Sequence, residues 1–371
     1  MKITSVQTFL VRSPLTHHRS NSHTIFRFRD TLLVKIGTDE GVVGWGETAP
    51  LAGARSLIES EFRALLIGKN PLEHRHLWRQ LWGNNFGNGC AVGAVDIALH
   101  DLRGKALNLS IAELYGGRLR DRVPAYATSL GYFEGVPPER SYPDEALAIV
   151  QSGFGALKLR IGGLPVRRDL AVVENVRQTV GPDIKLMVDI NGAYTLPTAI
   201  QVGHELERLG VYWYEEPLPQ PHYVGYDVLT DQLDIAVAAG ECLDSRLAFQ
   251  DVLARRAMDI VQPDVSLCGG FAECLFVAEM SRLYGIQVAP HCYNGGISIA
   301  ATLQLLSLLA PASWARETYV PMLELDISEN PFRDDLVPNL PKIREGKVDI
   351  PTGPGLGIEI DENVIKHYAL D

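Results

Sequence analysis

The sequence predicts an α/β protein built on a closed (β/α) barrel, with a smaller α+β segment ahead of it. Two observations carry this. From Val123 onward, short apolar runs rich in β-branched and aromatic residues alternate with amphipathic stretches of about 12–16 residues, the pattern of a parallel sheet wrapped in helices. Eight such runs fall within about 200 residues, which suits a barrel of the usual ~250-residue size. An open, doubly wound sheet shares the alternation, but it carries a glycine fingerprint after its first strand. Here Gly87-x-Gly89 falls between two helical stretches and reads as a loop.

The elements follow in order. Residues 2–12, 31–36 and 42–47 alternate polar and apolar, and Gly37-Thr38-Asp39-Glu40-Gly41 is a turn signal between the last two, so a small antiparallel meander is expected. Helical periodicity covers 54–67, 71–82 and 90–107, and Gly116-Gly117 closes the segment. The barrel runs are VPAYATS (123–129), GALKLRI (155–161), IKLMVDI (184–190), VYWYEEP (211–217), IAVAAGE (235–241), DIVQPDV (259–265), IQVAPHC (286–292) and VPMLELD (320–326). Helices are expected over 166–180, 197–209, 245–256, 271–284 and 297–309. From about residue 327 the alternation stops. The Pro- and Gly-rich segments PFRDDLVPNLPKI and PTGPGLGIEI read as a strap laid back against the first unit. The expected division is 1–122, 123–326 and 327–371.

Composition narrows the function. Of 371 residues, 46% are apolar and 21% charged, which gives a soluble globular chain with a large core and excludes disordered, collagen-like and disulfide-scaffold proteins. Lys plus Arg number 34 against 45 Asp plus Glu, a net charge of −11 that repels phosphate backbones and anionic lipid. Nucleic acid and membrane are therefore not expected partners. The N-terminal MKITSVQTFLV lacks the apolar core of a signal peptide. The most apolar stretch, 297–314, is interrupted by Ser298, Thr302, Gln304 and Ser307 and reads as a buried helix. Five cysteines (Cys90, Cys242, Cys268, Cys274, Cys292) form no CxxC pair and point to free thiols in a reducing cytoplasm.

The chemistry shows in where the polar residues fall. Asp189 ends IKLMVD, Glu215 ends VYWYE and Glu241 ends IAVAAGE, at spacings of 26 and 26. Asp264, 23 further on, ends DIVQPD, and His291, 27 beyond that, ends IQVAPH. One β/α unit has about this length, so the five side chains converge over the C-terminal mouth of the barrel. Any one alone reads as an ordinary strand-end charge or a satisfied histidine. Three carboxylates at matching offsets are hard to obtain by chance. Held together they repel one another. A hard divalent cation resolves this, and an all-oxygen trio suits Mg²⁺, with Mn²⁺ as a substitute, better than Zn²⁺. Asp264, one strand before His291, makes a carboxylate–imidazole pair in which the carboxylate fixes the tautomer and raises the basicity of the free nitrogen.

With these motifs in hand, the sequence resembles the mandelate racemase subgroup of the enolase superfamily. The resemblance rests on MVDIN, WYEEP, GE, QPD and APH in that order, on AVGAVDIALHDLRGKALNLSIAELYGG (91–117) and on PGLGIEI, and it covers nearly the whole chain. MLELDISENPF and PTGPGLGIEI look most like members acting on acid sugars, including galactarolactone cycloisomerases. The resemblance implies a modified (β/α) TIM-type barrel with an α+β capping domain formed by the N-terminal segment and the C-terminal strap. It also implies an essential Mg²⁺, abstraction of the proton α to a carboxylate, and a homo-oligomer, dimeric or octameric. By the same resemblance, Asp189, Glu215 and Glu241 are the metal ligands, with Glu216 behind them. Asp264 and His291 form the acid–base dyad. Glu324 engages the substrate carboxylate, with Glu317 a weaker match for that role, and Asn191 contacts a substrate hydroxyl.

One departure matters. Racemases of this subgroup carry Lys-x-Lys on the second strand, where this chain has Lys158-Leu159-Arg160. Lys158 matches the lysine near the substrate carboxylate. Arg160 takes the place of the opposite-face base, yet a guanidinium stays protonated and cannot accept a proton. The expected reaction is therefore a one-base dehydration of an acid sugar to a 2-keto-3-deoxy acid, His291 removing the α-proton and returning it to a departing β-hydroxyl. The alternatives are an isomerase using the same site (lactone cycloisomerase, racemase or epimerase) and a barrel that binds without turnover. Residues 13–30 are expected as a loop closing over the substrate. It carries His17, His18, Arg19, His23, Arg27 and Arg29; a solvated basic loop accounts for most of them, and His17, Arg19 and His23 are the candidates for contacting a polyhydroxy acid. The other histidines read as structural.

Overall fold

A long β-hairpin opens the chain. β1 (Ile3–Ser20) and β2 (Ile25–Thr38) pair antiparallel, and β3 (Val43–Thr48) adds to β2. The structure is a computed structural model and describes residues 1–51, 53–83, 88–311 and 320–370. The expected meander is present, but the expected loop is not. Residues 13–20 and 25–30 continue the two strands, and 21–24 alone make the turn. SPLTHHRS has Leu15 as its one large apolar residue, so the alternation that marks a strand fades there. The ladder also slips: Pro14 pairs with Phe28 but Arg19 with Phe26, so five steps along β1 match two along β2 and the arm bends.

Short helical turns α1 (Ala54–Leu57) and α2 (Arg63–Leu66) flank a π-helical turn at Ile58–Phe62. Then come α3 (His74–Gly83), α4 (Gly89–Leu107) and α5 (Ile111–Leu114). Of the presumed loop Gly87-x-Gly89, Gly89 begins α4, and Gly87 lies outside the described residues. The Asn88 side chain caps α4 by accepting from the Ala91 amide, and Asn108 ends it at φ 55°. Most of α4 is buried, because the N-terminal antiparallel sheet covers one face and the barrel the other. The approach to β3 is so close that a Cβ on Gly46 would sit 1.9 Å from the Ala94 carbonyl oxygen.

The barrel begins with β4 (Arg122–Leu130), which the short β5 (Tyr132–Phe133) follows, and α6 (Pro138–Gln151). It continues through β6 (Ala156–Arg160), α7 (Val166–Val180), β7 (Lys185–Asp189), α8 (Leu196–Arg208), β8 (Trp213–Glu215) and α9 (Tyr223–Gln232). β9 (Ala236–Ala239), α10 (Arg246–Arg255), β10 (Ile260–Val261), α11 (Phe271–Leu283), β11 (Gln287–Val288), α12 (Gly296–Leu308) and β12 (Leu323–Leu325) complete it. The parallel strands run β12-β4-β6-β7-β8-β9-β10-β11. β5 pairs instead with β1 of the N-terminal sheet. Each parallel strand from β4 to β11 has its helix, whereas β12 passes into the C-terminal segment, so the barrel is a modified one. Helices α6 and α9 are additions to those the periodicity marks: α6 opens on the mostly polar PERSYPDE with Pro143 inside it, and α9 is short with a weak apolar stripe. Tyr126, Ala156, Met187, Trp213, Ala238, Ile260, Ala289 and Met322 fill the barrel interior, and a second, larger core lies between strands and helices.

The C-terminal segment touches both units. α13 (Pro331–Asp334) precedes β13 (Lys347–Asp349), which adds antiparallel to β4 at the barrel edge. Leu356 then donates its amide to Asp101 of α4, and α14 (Glu362–Tyr368) leads to Leu370, which donates to the Leu10 carbonyl of β1. Two carboxylates of the N-terminal unit cap barrel helices. Glu47 accepts from the Gly295 and Ser298 amides at the start of α12, and Asp96 from the Phe271 amide at the start of α11. No described helix is long and apolar enough to cross a membrane.

Candidate active site

The ladder sets the level of each side chain. Arg160 pairs with Asp189, and Asp189 with Glu215, so three strands deliver their last residues side by side. Lys158 sits two residues below Arg160 on the same inward face, level with Met187 and Trp213 of the apolar plug. Glu241, Asp264 and His291 follow two or three residues after β9, β10 and β11. Glu324 lies within β12. The structure thus brings the eight together at one end of the barrel, over a water-excluding floor.

Lys158 is the hub of one side. Its ammonium donates to Glu215 Oε1 at 2.5 Å and lies 2.7 Å from Glu324 Oε1 and 3.7 Å from Asp189 Oδ2. The side chain is 1% exposed. Burial works against its charge, but Glu215, Glu324 and Asp189 outweigh this and raise its pKa well above the ordinary value. Trp213 Nε1 donates to the other oxygen of Glu215 at 2.9 Å. Burial pushes the Glu215 carboxyl up to about 7 against the pull of Lys158, whereas Glu324 is held down to about 2, its burial outweighed by Lys158 and His291.

His291 is the hub of the other. Its Nδ1 lies 2.7 Å from Asp264 Oδ2, and its Nε2 is 3.5 Å from Glu241 Oε2. Asp264 is fixed in turn, since Ser266 donates to its Oδ1 from the backbone at 2.7 Å and from the hydroxyl at 2.6 Å. Burial disfavours a charged imidazole, yet Glu241, Glu324 and Asp264 together hold its pKa up to about 10. The Cys292 amide reaches Glu324 Oε2 at 3.3 Å and links the ends of β11 and β12.

The carboxylates crowd. Burial, with Glu241 next, pushes Glu216 up to about 10, and burial also raises Glu241, with His291 opposing. Glu216 has φ 40° and Asn191 φ 51°, two non-glycine residues in the left-handed region within two residues of the strand ends at Glu215 and Asp189. Glu216 Oε1 is buried without a hydrogen-bond partner. Among the described residues, Glu216, Glu241 and Cys242 offer ligand atoms within 4.8 Å of one another at this mouth. Asp189, Glu215 and Glu241 are not gathered that tightly, because the Lys158 ammonium draws Glu215 and Glu324 to itself. The carboxylates here, Asp189, Glu215, Glu216 and Glu241, with one orphaned buried oxygen on Glu216, fit a hard divalent cation better than a soft one.

The other expected residues are placed as follows. Asn191 turns back onto Asp189, donating from its amide at 2.9 Å and from Nδ2 at 3.1 Å, which leaves its Oδ1 buried and unpaired. Arg19 spends its guanidinium on Glu145 (2.8 Å), the Ser129 carbonyl and the Phe133 ring, fastening the hairpin to the barrel. His17 and His23 are exposed, with His23 at the tip beside Ser22. Glu317 lies outside the described residues. Ser22 escapes the sequence reading: its hydroxyl donates to the Ile190 carbonyl at 2.9 Å, planting the hairpin tip beside Asp189. Tyr293 escapes it too, although its position two residues after His291 was a usable signal.

A barrel mouth that sets a ring of carboxylates against a histidine–aspartate pair, under an α+β cap, defines the enolase type of enzyme. The comparisons agree. Residues 4–116 match the mandelate racemase/muconate lactonizing enzyme N-terminal domain, and residues 141–364 match the enolase C-terminal domain-like family. The chain belongs to the mandelate racemase/muconate lactonizing enzyme family of the enolase superfamily. It is 34% identical over 376 residues to a D-galactarolactone cycloisomerase of Agrobacterium fabrum, covering 100% of this chain and 99% of that one. It is 34% identical over 358 residues to a D-galactonate dehydratase of Cronobacter sakazakii, covering 90% of each. The crystal structure of the 3,6-anhydro-D-galactonate cycloisomerase from Zobellia galactanivorans superposes with a TM-score of 0.90 at 30% identity, over 100% of both chains.

Proposed function

We propose that this chain is a Mg²⁺-dependent enzyme that removes the proton α to the carboxylate of an acid sugar and expels the oxygen on the β-carbon, most simply as water, to give a 2-keto-3-deoxy acid. The observation that carries it is the 2.7 Å His291–Asp264 pair set across the mouth from Lys158 and Arg160. Asp189, Glu215 and Glu241 would hold the cation, with Glu216 beside them. When bound, Mg²⁺ offsets the negative charge that builds on the substrate carboxylate as the proton leaves.

The chain's own residues supply the rest. Lys158, buried and cationic, stabilises the same developing charge at fixed position, at no cost in reorganisation. Glu324 holds Lys158 in line and faces the substrate carboxylate. Asp264 keeps His291 Nδ1 occupied, so Nε2 is the atom that exchanges protons. With the charge of the carboxylates that raise its pKa offset by a bound cation, His291 would stand as the neutral imidazole and take the α-proton at Nε2. The Cα–H electron pair moves into the enediolate, and the resulting imidazolium protonates the β-hydroxyl as its C–O bond breaks. The enol then tautomerises to the 2-keto acid. Arg160 is a permanent cation and removes no proton.

A second reading has its own support, because the cycloisomerases match over the whole of both chains. If the β-oxygen is the ester oxygen of a lactone, the same proton abstraction opens the ring without loss of water. The test is a panel of acid sugars and lactones with Mg²⁺, or with Mn²⁺, followed by NMR in D₂O for 2-keto acid, ring opening and α-deuteration. Wild type is expected to turn over at least one member, and His291→Asn none, with no α-exchange. Efficient epimerisation that survives His291→Asn would overturn the reading.

A further inference from the structure

Tyr293 is held between two arginines from distant parts of the chain. Arg29 of β2 places its Cζ 4.6 Å from the ring centroid and donates from Nη2 to the hydroxyl at 3.1 Å. Arg160 of β6 places its Cζ 4.7 Å from the same centroid. Two cations share one ring because each has its own counter-charge: Arg29 is paired with Asp326, and Arg160 has Asp189 Oδ2 at 4.0 Å.

The two guanidiniums are not equally secured. Arg29 is buried, and besides Asp326 it donates to Ser328 Oγ at 2.5 Å and the Glu329 carbonyl at 3.3 Å. Among the described residues, Arg160 makes one hydrogen bond, to the Thr128 carbonyl at 3.2 Å. A guanidinium has five N–H donors. One bond and a distant carboxylate do not fix the orientation of such a fork, whereas contact with an aromatic face restrains its plane. That face belongs to Tyr293, and Arg29 anchors it from the hairpin, with Phe26 adding a tilted ring contact at 6.3 Å.

We propose that Tyr293 is a positioning residue for Arg160, and that through it the seating of the N-terminal hairpin sets the guanidinium that faces the substrate opposite His291. The proposal rests on the reading above that sets Arg160 across the mouth from His291, and it takes the guanidinium to face the substrate there. The chain of contacts runs from Asp326 and Ser328 to Arg29, from Arg29 to the Tyr293 ring, and from the ring to Arg160. Tyr293 itself follows His291 by two residues, so the same loop carries the acid–base group and the brace for the cation across from it.

The experiment uses full-length enzyme with Mg²⁺ and whichever panel substrate it turns over. Tyr293→Leu removes the ring and is expected to raise KM roughly tenfold with a smaller change in kcat. Tyr293→Phe keeps the ring and loses only the bond from Arg29, so it is expected to recover KM to within about threefold of wild type. In an Arg160→Gln background, Tyr293→Leu is expected to add nothing further, because the group it positions is gone. A crystal structure of Tyr293→Leu supplies a readout free of activity: Arg160 displaced, with Asp264 and His291 unmoved. Arg160 unmoved in that structure, or an equal Tyr293→Leu penalty in both backgrounds, overturns the proposal. If Arg160→Gln leaves activity intact while Tyr293→Leu still displaces Arg160, the brace stands and the substrate role of Arg160 fails.

Discussion

At the scale of single residues, Lys158 governs the site's charge. Its ammonium lies among Glu215, Glu324 and Asp189, so the carboxylate ring is partly neutralised from within. Replacing it by methionine keeps the bulk and leaves those carboxylates buried without a counter-ion, at a cost of about 3–5 kcal/mol. Urea unfolding of Lys158→Met is expected to show that loss, and saturating Mg²⁺ is expected to recover more stability in the variant than in wild type. Asp264 governs direction rather than charge. Asp264→Asn leaves the imidazole free to adopt the wrong tautomer, and kcat is expected to fall about 10²- to 10⁴-fold with KM little changed. Far-UV circular dichroism of the variant should match wild type, because asparagine keeps the shape of the buried Asp264 side chain, which lies in a loop beyond β10.

At the scale of elements, the hairpin decides how closed the site is. Its tip rests on Ile190 through Ser22, its flank on Glu145 and Ser129 through Arg19, and Thr16 donates to Glu329 from amide and hydroxyl at 2.9 and 3.0 Å. Arg19→Met removes the flank attachment. Amide exchange over residues 15–26 is then expected to accelerate, and KM to rise severalfold while kcat holds. The strand ends were legible in the sequence because the β/α unit itself repeats: Asp189, Glu215 and Glu241 each close an apolar run, 26 residues apart. The hairpin arm was not, because SPLTHHRS makes its strand through pairing with β2 and not through an apolar face. α6 and α9 were missed for a related reason, since α6 opens on the mostly polar PERSYPDE with Pro143 inside it and α9 is ten residues long with a weak stripe. The pairing of Arg29 with Asp326 joins residues 297 apart, and no local pattern signals it.

At the scale of the whole molecule, the cap and barrel are joined through helix ends. Asp96 accepts from the Phe271 amide and lies 2.6 Å from His74 Nε2 and 3.3 Å from His100 Nδ1. Burial alone would raise its pKa, but the two imidazoles outweigh it and hold it below the usual carboxylate range. A carboxylate so depressed binds its proton more weakly folded than unfolded. Its contribution is therefore present above the unfolded value near ~3.9 and is lost as pH falls from there toward the folded value. Asp96→Asn is expected to lose roughly 3 kcal/mol near neutrality by urea unfolding, and the gap from wild type to narrow between about pH 4 and pH 2. A gap that widens on acidification would contradict this account.

The sequence separations of the contacts that tie the N-terminal unit to the C-terminal segment set an order of events during synthesis. Arg29 waits for Asp326, Thr16 for Glu329, Asp101 for Leu356 and Lys35 for Glu362, separations of 297, 313, 255 and 327 residues. At about 5–20 residues per second, the hairpin leaves the ribosome tens of seconds before its partners exist. β4 likewise emerges long before β12 and β13, the strands that flank it. The nascent chain therefore carries an unsealed sheet edge until its last fifty or so residues appear, and shielding that edge from other chains is a task for the cell's chaperones.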